Sequence, residues 1–339
     1  MLNISHKVAV VEGCHAGHIP ASVLNSTVPL LLKDFGADWP VVIAGKQSAQ
    51  AAADYIQSFY QGRPVNACFG DPENQGRVFY NQAMDGFNYT GSQVDLALVL
   101  DKLLSHQDDE HPPTMYVGST EINQWLPGFG AENSASCLTD YKPLTSIWIG
   151  NKTSIAAHYD FPNNIACSVV GRRRFTLFPP EQISNLYVGP IEFAPGGQEI
   201  SLVDFNQPDY DQYPKFKTAV EAAQVAELEP GDALFLPSMW WHHVQGLDAF
   251  NVLVSHWWRD SPAFMGRPNN ALSLAILSLR SLPPEQRQAW KHIFNHYIFD
   301  HQAEDLDHIP PSARSILNHP LDEDSARHLR ADLINKLKR

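Results

Sequence analysis

The segment Ala156-Ala157-His158-Tyr159-Asp160-Phe161-Pro162-Asn163-Asn164 puts an imidazole and a carboxylate two residues apart in an extended, apolar setting. In a strand, residues i and i+2 share a face, so His158 and Asp160 can meet one ion. A third ligand must come from elsewhere, and Trp240-Trp241-His242-His243 offers it from another β-like run. Two histidines and one carboxylate on one face of an octahedral metal leave three positions open, which suits Fe(II) sites where a co-substrate and O2 bind side by side. Zinc prefers four tetrahedral ligands and gains less from such a set. With 15 histidines in the chain, a lone H-x-D is weak evidence. The strength lies in combining a strand-borne H-x-D, an intervening β-rich stretch and a later strand-borne histidine. Alternation puts His242 and His243 on opposite faces without choosing between them. Cys14, His15 and His18 have no fourth partner nearby and are not expected to form a second metal site.

The elements that must position these residues are short. Between 115 and 262, runs such as TSIWIG, NIACSVVG, RRRFTLFPP, DALFLPS, HHVQGL and FNVLVSHWW alternate with Gly/Pro turns, the pattern of a sandwich or barrel. A polar insert rich in Asp, Gln, Pro and Tyr occupies 185–226. Residues 1–114 read as a mixed α/β part flanking and extending this core, with strands at VVIAG (41–45) and GRVFYN (76–81), helices over 48–61 and 94–106, and a loop at 107–114. Residues 263–339 read as helices; NNALSLAILSLRSL is apolar almost all round and is expected to be buried.

The composition is that of a folded chain: 339 residues, 44% hydrophobic and 18% charged. A net charge of −13 argues against a broad phosphate-binding face, so a nucleic-acid substrate is not expected. No apolar run is long enough to span a bilayer, and the N-terminus lacks the form of a signal peptide. A cytoplasmic chain is therefore expected, and in that compartment the four scattered cysteines read as free thiols.

The strings HYDFPNNIACSVVGRRRFTLFPP, VDFNQPDY, EPGDALFLPSMWWHHV and FNVLVSHWW resemble the JmjC/cupin-like Fe(II)/2-oxoglutarate oxygenases, in the group of the asparaginyl hydroxylase of hypoxia-inducible factor and its bacterial relatives. The resemblance is clear over about 115–260 and weaker before it. It implies a mainly β fold, a double-stranded β-helix (cupin/jelly-roll) core with flanking helices. It also implies a hydroxylase that uses Fe(II), 2-oxoglutarate and O2 and dimerises through its C-terminal helices. The implied metal ligands are His158, Asp160 and His242, with His243 beside the site. The implied anchor for the distal co-substrate carboxylate is Arg173. Alternation sets Arg173 with Phe175 and Leu177, where a cation needs an anionic partner, and a guanidinium fits a carboxylate bidentately; Arg172 and Arg174 are read as solvated. Tyr116, Asn164 and Ser255 complete the implied co-substrate contacts. Ser255 stands where close relatives have Asn, and Ile155 where they have Thr. Three other readings stay open: a metal-dependent cupin that uses no 2-oxoglutarate (a dioxygenase or an isomerase), a non-catalytic metal-binding module, and an RNA-modifying member of the same superfamily, which the charge of −13 disfavours. The primary substrate, whether protein side chain, peptide or small molecule, is not legible.

Overall fold

The computed structural model describes residues 2–338 and divides into two compact units, Met1–Arg259 and Asp260–Arg339. Among the described residues, the first unit holds two facing sheets. The six-stranded sheet runs, in spatial order, His6–Lys7 (β1), Gln224–Leu228 (β12), Arg173–Phe178 (β11), Trp241–Gly246 (β14), Ser154–Tyr159 (β9) and Arg77–Val78 (β5). The nine-stranded sheet runs Ala9–Val11 (β2), Leu30–Leu32 (β3), Ala233–Leu236 (β13), Asn163–Val170 (β10), Asn251–Trp258 (β15), Leu144–Gly150 (β8), Thr114–Glu121 (β7), Val65–Gly70 (β4) and Thr90–Val94 (β6).

The centre of both sheets is the stretch from β8 to β15. Strands β13-β10-β15-β8 lie in one sheet and β12-β11-β14-β9 in the other, and every neighbouring pair is antiparallel. This is the double-stranded β-helix, and the fold is mainly β with flanking helices. The N-terminal strands lengthen the larger sheet at both ends, β2 and β3 beyond β13, and β7, β4 and β6 beyond β8.

Alternation explains why the central strands are apolar throughout. Ala166, Leu234, Leu236 and Leu253 face Phe175, Leu177, Ala226 and Val244 across the barrel interior. Their neighbours Ile165, Cys167, Phe235, Val252 and Val254 face outward under the N-terminal helices. With both faces covered, a continuous apolar run is the expected strand signature. Truncating a fully buried ring such as Phe235 to Ala would cost roughly 3–5 kcal/mol.

Three N-terminal helices cover that outer face. Pro40–Gln47 (α1) corrects the strand expected at VVIAG: Pro40 occupies the first helical turn, and Val41 and Val42 are fully buried. A five-residue apolar run fits a buried helix as well as a strand, and the proline at its head was the deciding signal. Ala49–Gln57 (α2) starts where Ser48 Oγ accepts the Ala51 N–H at 3.0 Å. Leu96–Ser105 (α3) is capped by Asp95 and buries Leu96, Val99, Leu100 and Leu103, one helical stripe. The expected loop at 107–114 is a loop until β7 begins at Thr114.

The polar insert is more ordered than its composition implies. It contains helix Phe216–Ala222 (α4) and the start of core strand β12, and buries Phe205, Phe216, Ala219 and Ala223 on the outer face of the smaller sheet.

In the second unit, Pro268–Leu279 (α5), Pro284–Phe294 (α6) and Glu323–Leu337 (α7) are the main helices. The burial expected of the apolar 269–282 run is not found: no residue of α5 is buried, and Leu277 is 74% exposed. Among the described residues of this unit Leu306 and Ala326 alone are buried, too few to cover such a helix. Among the described residues no helix is long and apolar enough to cross a membrane.

Candidate metal centre and its cavity

His158 and His242 are cross-strand partners in the β9–β14 ladder. The next pair is Ile155 with Val244, so two residues of β9, Ala156 and Ala157, oppose one of β14, His243. This bulge re-aims the end of β9 and frees two carbonyls. Ala157 O accepts the Ser201 N–H at 2.8 Å, and Ala156 O accepts His158 Nδ1 at 2.8 Å. His242 Nδ1 is held in the same manner by Trp240 O at 3.0 Å. A carbonyl only accepts, so both Nδ1 atoms carry the proton and both Nε2 atoms are free to donate lone pairs.

Asp160 follows directly on β9. Its Oδ2 lies 3.7 Å from His242 Nε2, and its Oδ1 accepts Gln198 Nε2 at 3.1 Å. The ligand atoms of His158, Asp160 and His242 all lie within 4.8 Å of one another, the one such group among the described residues. Burial lowers the His242 pKa to about 4, aided by His158 and opposed by Asp160. The imidazole is therefore neutral at pH 7, the form that binds a metal.

The triad opens on a cavity of about 380 Å³ between the two sheets, and Arg173, Tyr116, Asn164 and Ser255 line it together with all three triad residues. Arg173 is 4% exposed, and its Nε is buried without a hydrogen-bond partner. Among the described residues no carboxylate pairs with it. Burial lowers its pKa to about 10, with Tyr116 opposing, so it remains a cation at neutral pH. Burial also raises the Tyr116 hydroxyl, which the Arg173 charge counteracts, and keeps it a protonated donor. Asn164 is buried, and its Oδ1 has no partner. Ser255 Oγ accepts Trp148 Nε1 at 2.8 Å and donates to Ser146 O at 3.4 Å. Its hydroxyl is thus already engaged by the cavity wall. Ile155, where a hydroxyl was missed, also lines the cavity.

His243 points the other way. It bonds Ser154 Oγ through Nε2 at 3.0 Å and stacks on Phe205 beneath the insert. Arg172 is exposed and paired with Asp248 at 2.9 Å, as expected. Arg174 differs from expectation: it is 9% exposed, against Glu227 and the Leu2 carbonyl. The N-terminal segment covers that face of the sheet, which a strand pattern alone does not reveal. Sequence reasoning missed Gln198, Cys68 and Tyr89, all on the cavity wall. Gln198 lies in the insert, where no periodicity marks it; Cys68 comes from β4 and Tyr89 from the residue before β6.

Comparison with known proteins agrees with this geometry. A family model described as a cupin-like domain matches residues 17–264. The chain is 29% identical over 153 residues to HSPB1-associated protein 1 of Homo sapiens, covering 43% of this chain and 30% of that protein. It is 33% identical over 125 residues to lysine-specific demethylase JMJ31 of Arabidopsis thaliana, covering 36% and 22%. It is 30% identical over 145 residues to tRNA wybutosine-synthesizing protein 5 of Gallus gallus, covering 38% and 42%. These matches span less than half the length of each relative. From its strand order and the extent of the family match, the chain belongs to the cupin-like domain family.

Proposed function

We propose that this chain is an Fe(II)- and 2-oxoglutarate-dependent oxygenase that hydroxylates a protein side chain or a small molecule. The observation that carries the reading is one cavity that holds both an imidazole–carboxylate–imidazole set and a buried arginine lacking a carboxylate partner. The donor set fits Fe(II) with positions left open. The Arg173 guanidinium fits the distal carboxylate of 2-oxoglutarate. When bound, iron and 2-oxoglutarate would supply the oxidising chemistry, coupling decarboxylation of the co-substrate to oxygen transfer from O2.

The residues themselves bind and orient. His158, Asp160 and His242 hold the metal, the histidines aimed by Ala156 O and Trp240 O and the carboxylate by Gln198. Arg173 anchors the distal carboxylate, and the Tyr116 hydroxyl donates to it. Asn164 offers its amide near the metal end. Ser255 acts through Trp148, whose indole it fixes against Tyr116; the two rings stack with centroids 6.2 Å apart.

The net charge of −13 weighs against tRNA as the substrate, although one relative is named for tRNA wybutosine synthesis. We also read the chain as a cytoplasmic homodimer. The four free cysteines support the compartment. The exposed Leu272, Leu277, Trp290, Ile293, Tyr297 and Phe299 support a dimer through the C-terminal helices. Calorimetry tests the core of the reading: 2-oxoglutarate should bind the Fe(II)-loaded protein without O2. Absence of binding at millimolar concentration would favour a cupin of another class.

A further inference from the structure

Residues 189–200 form a closed loop between Val188 and Ser201, which pair as an isolated antiparallel bridge. Its neck is tied by Gly189 N–H to Ile200 O at 2.9 Å and Leu202 N–H to Tyr187 O at 3.0 Å. Ser201 N–H anchors that neck on the carbonyl of bulge residue Ala157, and Glu199 and Ile200 are buried. The neck is therefore part of the scaffold. The rest is not: Ile191, Glu192, Phe193, Gly196 and Gly197 are exposed, and the tip is the turn Ala194–Gly197, with Gly197 at φ 85° and nothing within 4 Å of where a Cβ would sit. Such closed-neck segments with few buried contacts open locally at small free-energy cost.

The tip lies over the cavity, where Pro195, Gly196 and Gln198 form part of the wall. The facing wall is Cys68, on β4, and Tyr89, directly before β6. What joins the two is aromatic. Phe193 stacks on Phe87 with centroids 4.8 Å apart and 14° between planes, and sits 5.7 Å from Tyr80. Tyr80 OH donates to Phe193 O at 2.5 Å, and Tyr89 OH reaches Pro195 O at 3.5 Å. Phe193 keeps 36% of its surface exposed, so the contact is a latch and not a core.

We propose that the tip of this loop, residues 190–198, is the gate of the cavity, latched by Phe193 against Phe87 and Tyr80. Opening the latch uncovers the Tyr89–Cys68 wall; closing it excludes water and sets Gln198 on Asp160. This gate does not depend on which cofactors the cavity takes, and it is tested on the metal-free chain.

Cys68 is a reporter inside the cavity and Cys137, on the core cluster beyond the larger sheet, is its control; burial raises both thiols to about 11. Alkylation by a bulky maleimide, read peptide by peptide by mass spectrometry, should be about tenfold faster at Cys68 in Phe193→Ala than in the unaltered chain. The Cys137 rate should stay the same, and Phe193→Leu should restore most of the protection. Hydrogen exchange over 190–198 should rise in Phe193→Ala while β9 and β14 stay protected. If β9 and β14 also exchange faster, Tyr80→Phe decides the matter, since it removes one hydrogen bond and leaves the packing. Faster labelling of Cys68 alone in Tyr80→Phe supports the gate. Equal Cys68 rates in the unaltered chain and in the deciding variant overturn it.

Discussion

His158 and His242 face each other directly across the β9–β14 ladder, with ring centroids 4.3 Å apart, and each has its Nδ1 held by the carbonyl two residues before it. The pair is therefore set before any metal arrives. Removal of His242 or Asp160 by Ala should weaken Fe(II) binding at least ~100-fold, beyond the 10–100-fold usual for outer partners. His243→Ala should keep the metal, because its ring bonds Ser154 on the opposite face. Metal content after dialysis, with circular dichroism as the fold control, distinguishes these variants. Loss of iron in His243→Ala with retention in His242→Ala would reverse the assignment.

Gln198 is the outer partner of Asp160. Gln198→Ala should lower metal affinity roughly tenfold and leave the metal stoichiometry at one. A competition titration against a chelator reads this.

Arg173→Ala should weaken 2-oxoglutarate binding by on the order of 2–5 kcal/mol, because the ligand carboxylate is left buried and unpaired. That is at least ~30-fold in affinity. Arg173→Lys should recover part, since an ammonium is a point charge and not a fork. Arg172→Ala should have little effect. Arg174→Ala should act on stability instead, because that side chain packs against Glu227 and Leu2. Calorimetry and thermal melts on the same samples separate the two effects.

Ser255→Ala should cost about 1–3 kcal/mol of stability, because it leaves the Trp148 indole N–H without its acceptor. Its effect on 2-oxoglutarate affinity should be smaller than that of Tyr116→Phe. The reverse order in a titration would place the Ser255 hydroxyl on the ligand.

His256 is fully buried, bonded to Ala135 N–H and Ile165 O, and burial lowers its pKa from 6.5 to about 4. The unfolded chain thus binds one more proton than the folded chain between those two values. Stability from this group is complete above pH 6.5 and falls as pH drops toward 4. Its share of the loss between pH 7 and 5 should be on the order of 2 kcal/mol. Urea melts should show a shallower pH slope in His256→Gln, whatever its absolute stability; an unchanged slope would mean that His256 does not titrate in this window.

The sequence made the barrel legible where both faces of a strand are buried, as in NIACSVV and ALFL, because composition alone then marks the strand. It made Arg173 legible because parity with Phe175 and Leu177 survives in β11. Three features escaped for physical reasons. VVIAG is too short for period 2 and period 3.6 to differ, and only Pro40 separates them. The bulge at Ala156–Ala157 depends on the partner strand, which no local pattern encodes. Gln198 and β12 sit in a stretch whose polarity hides that the smaller sheet and the cavity bury part of it. The apolar C-terminal helix was read for its need of cover, and the described chain does not supply that cover.

The most direct test of the central claim is release of labelled CO2 from 2-oxoglutarate by the purified chain with no other substrate present. The account predicts slow release that requires both Fe(II) and O2, is abolished in Asp160→Ala and is restored in Arg173→Ala only at much higher 2-oxoglutarate. Metal-loaded protein that releases no CO2 and binds no 2-oxoglutarate at millimolar concentration would contradict it.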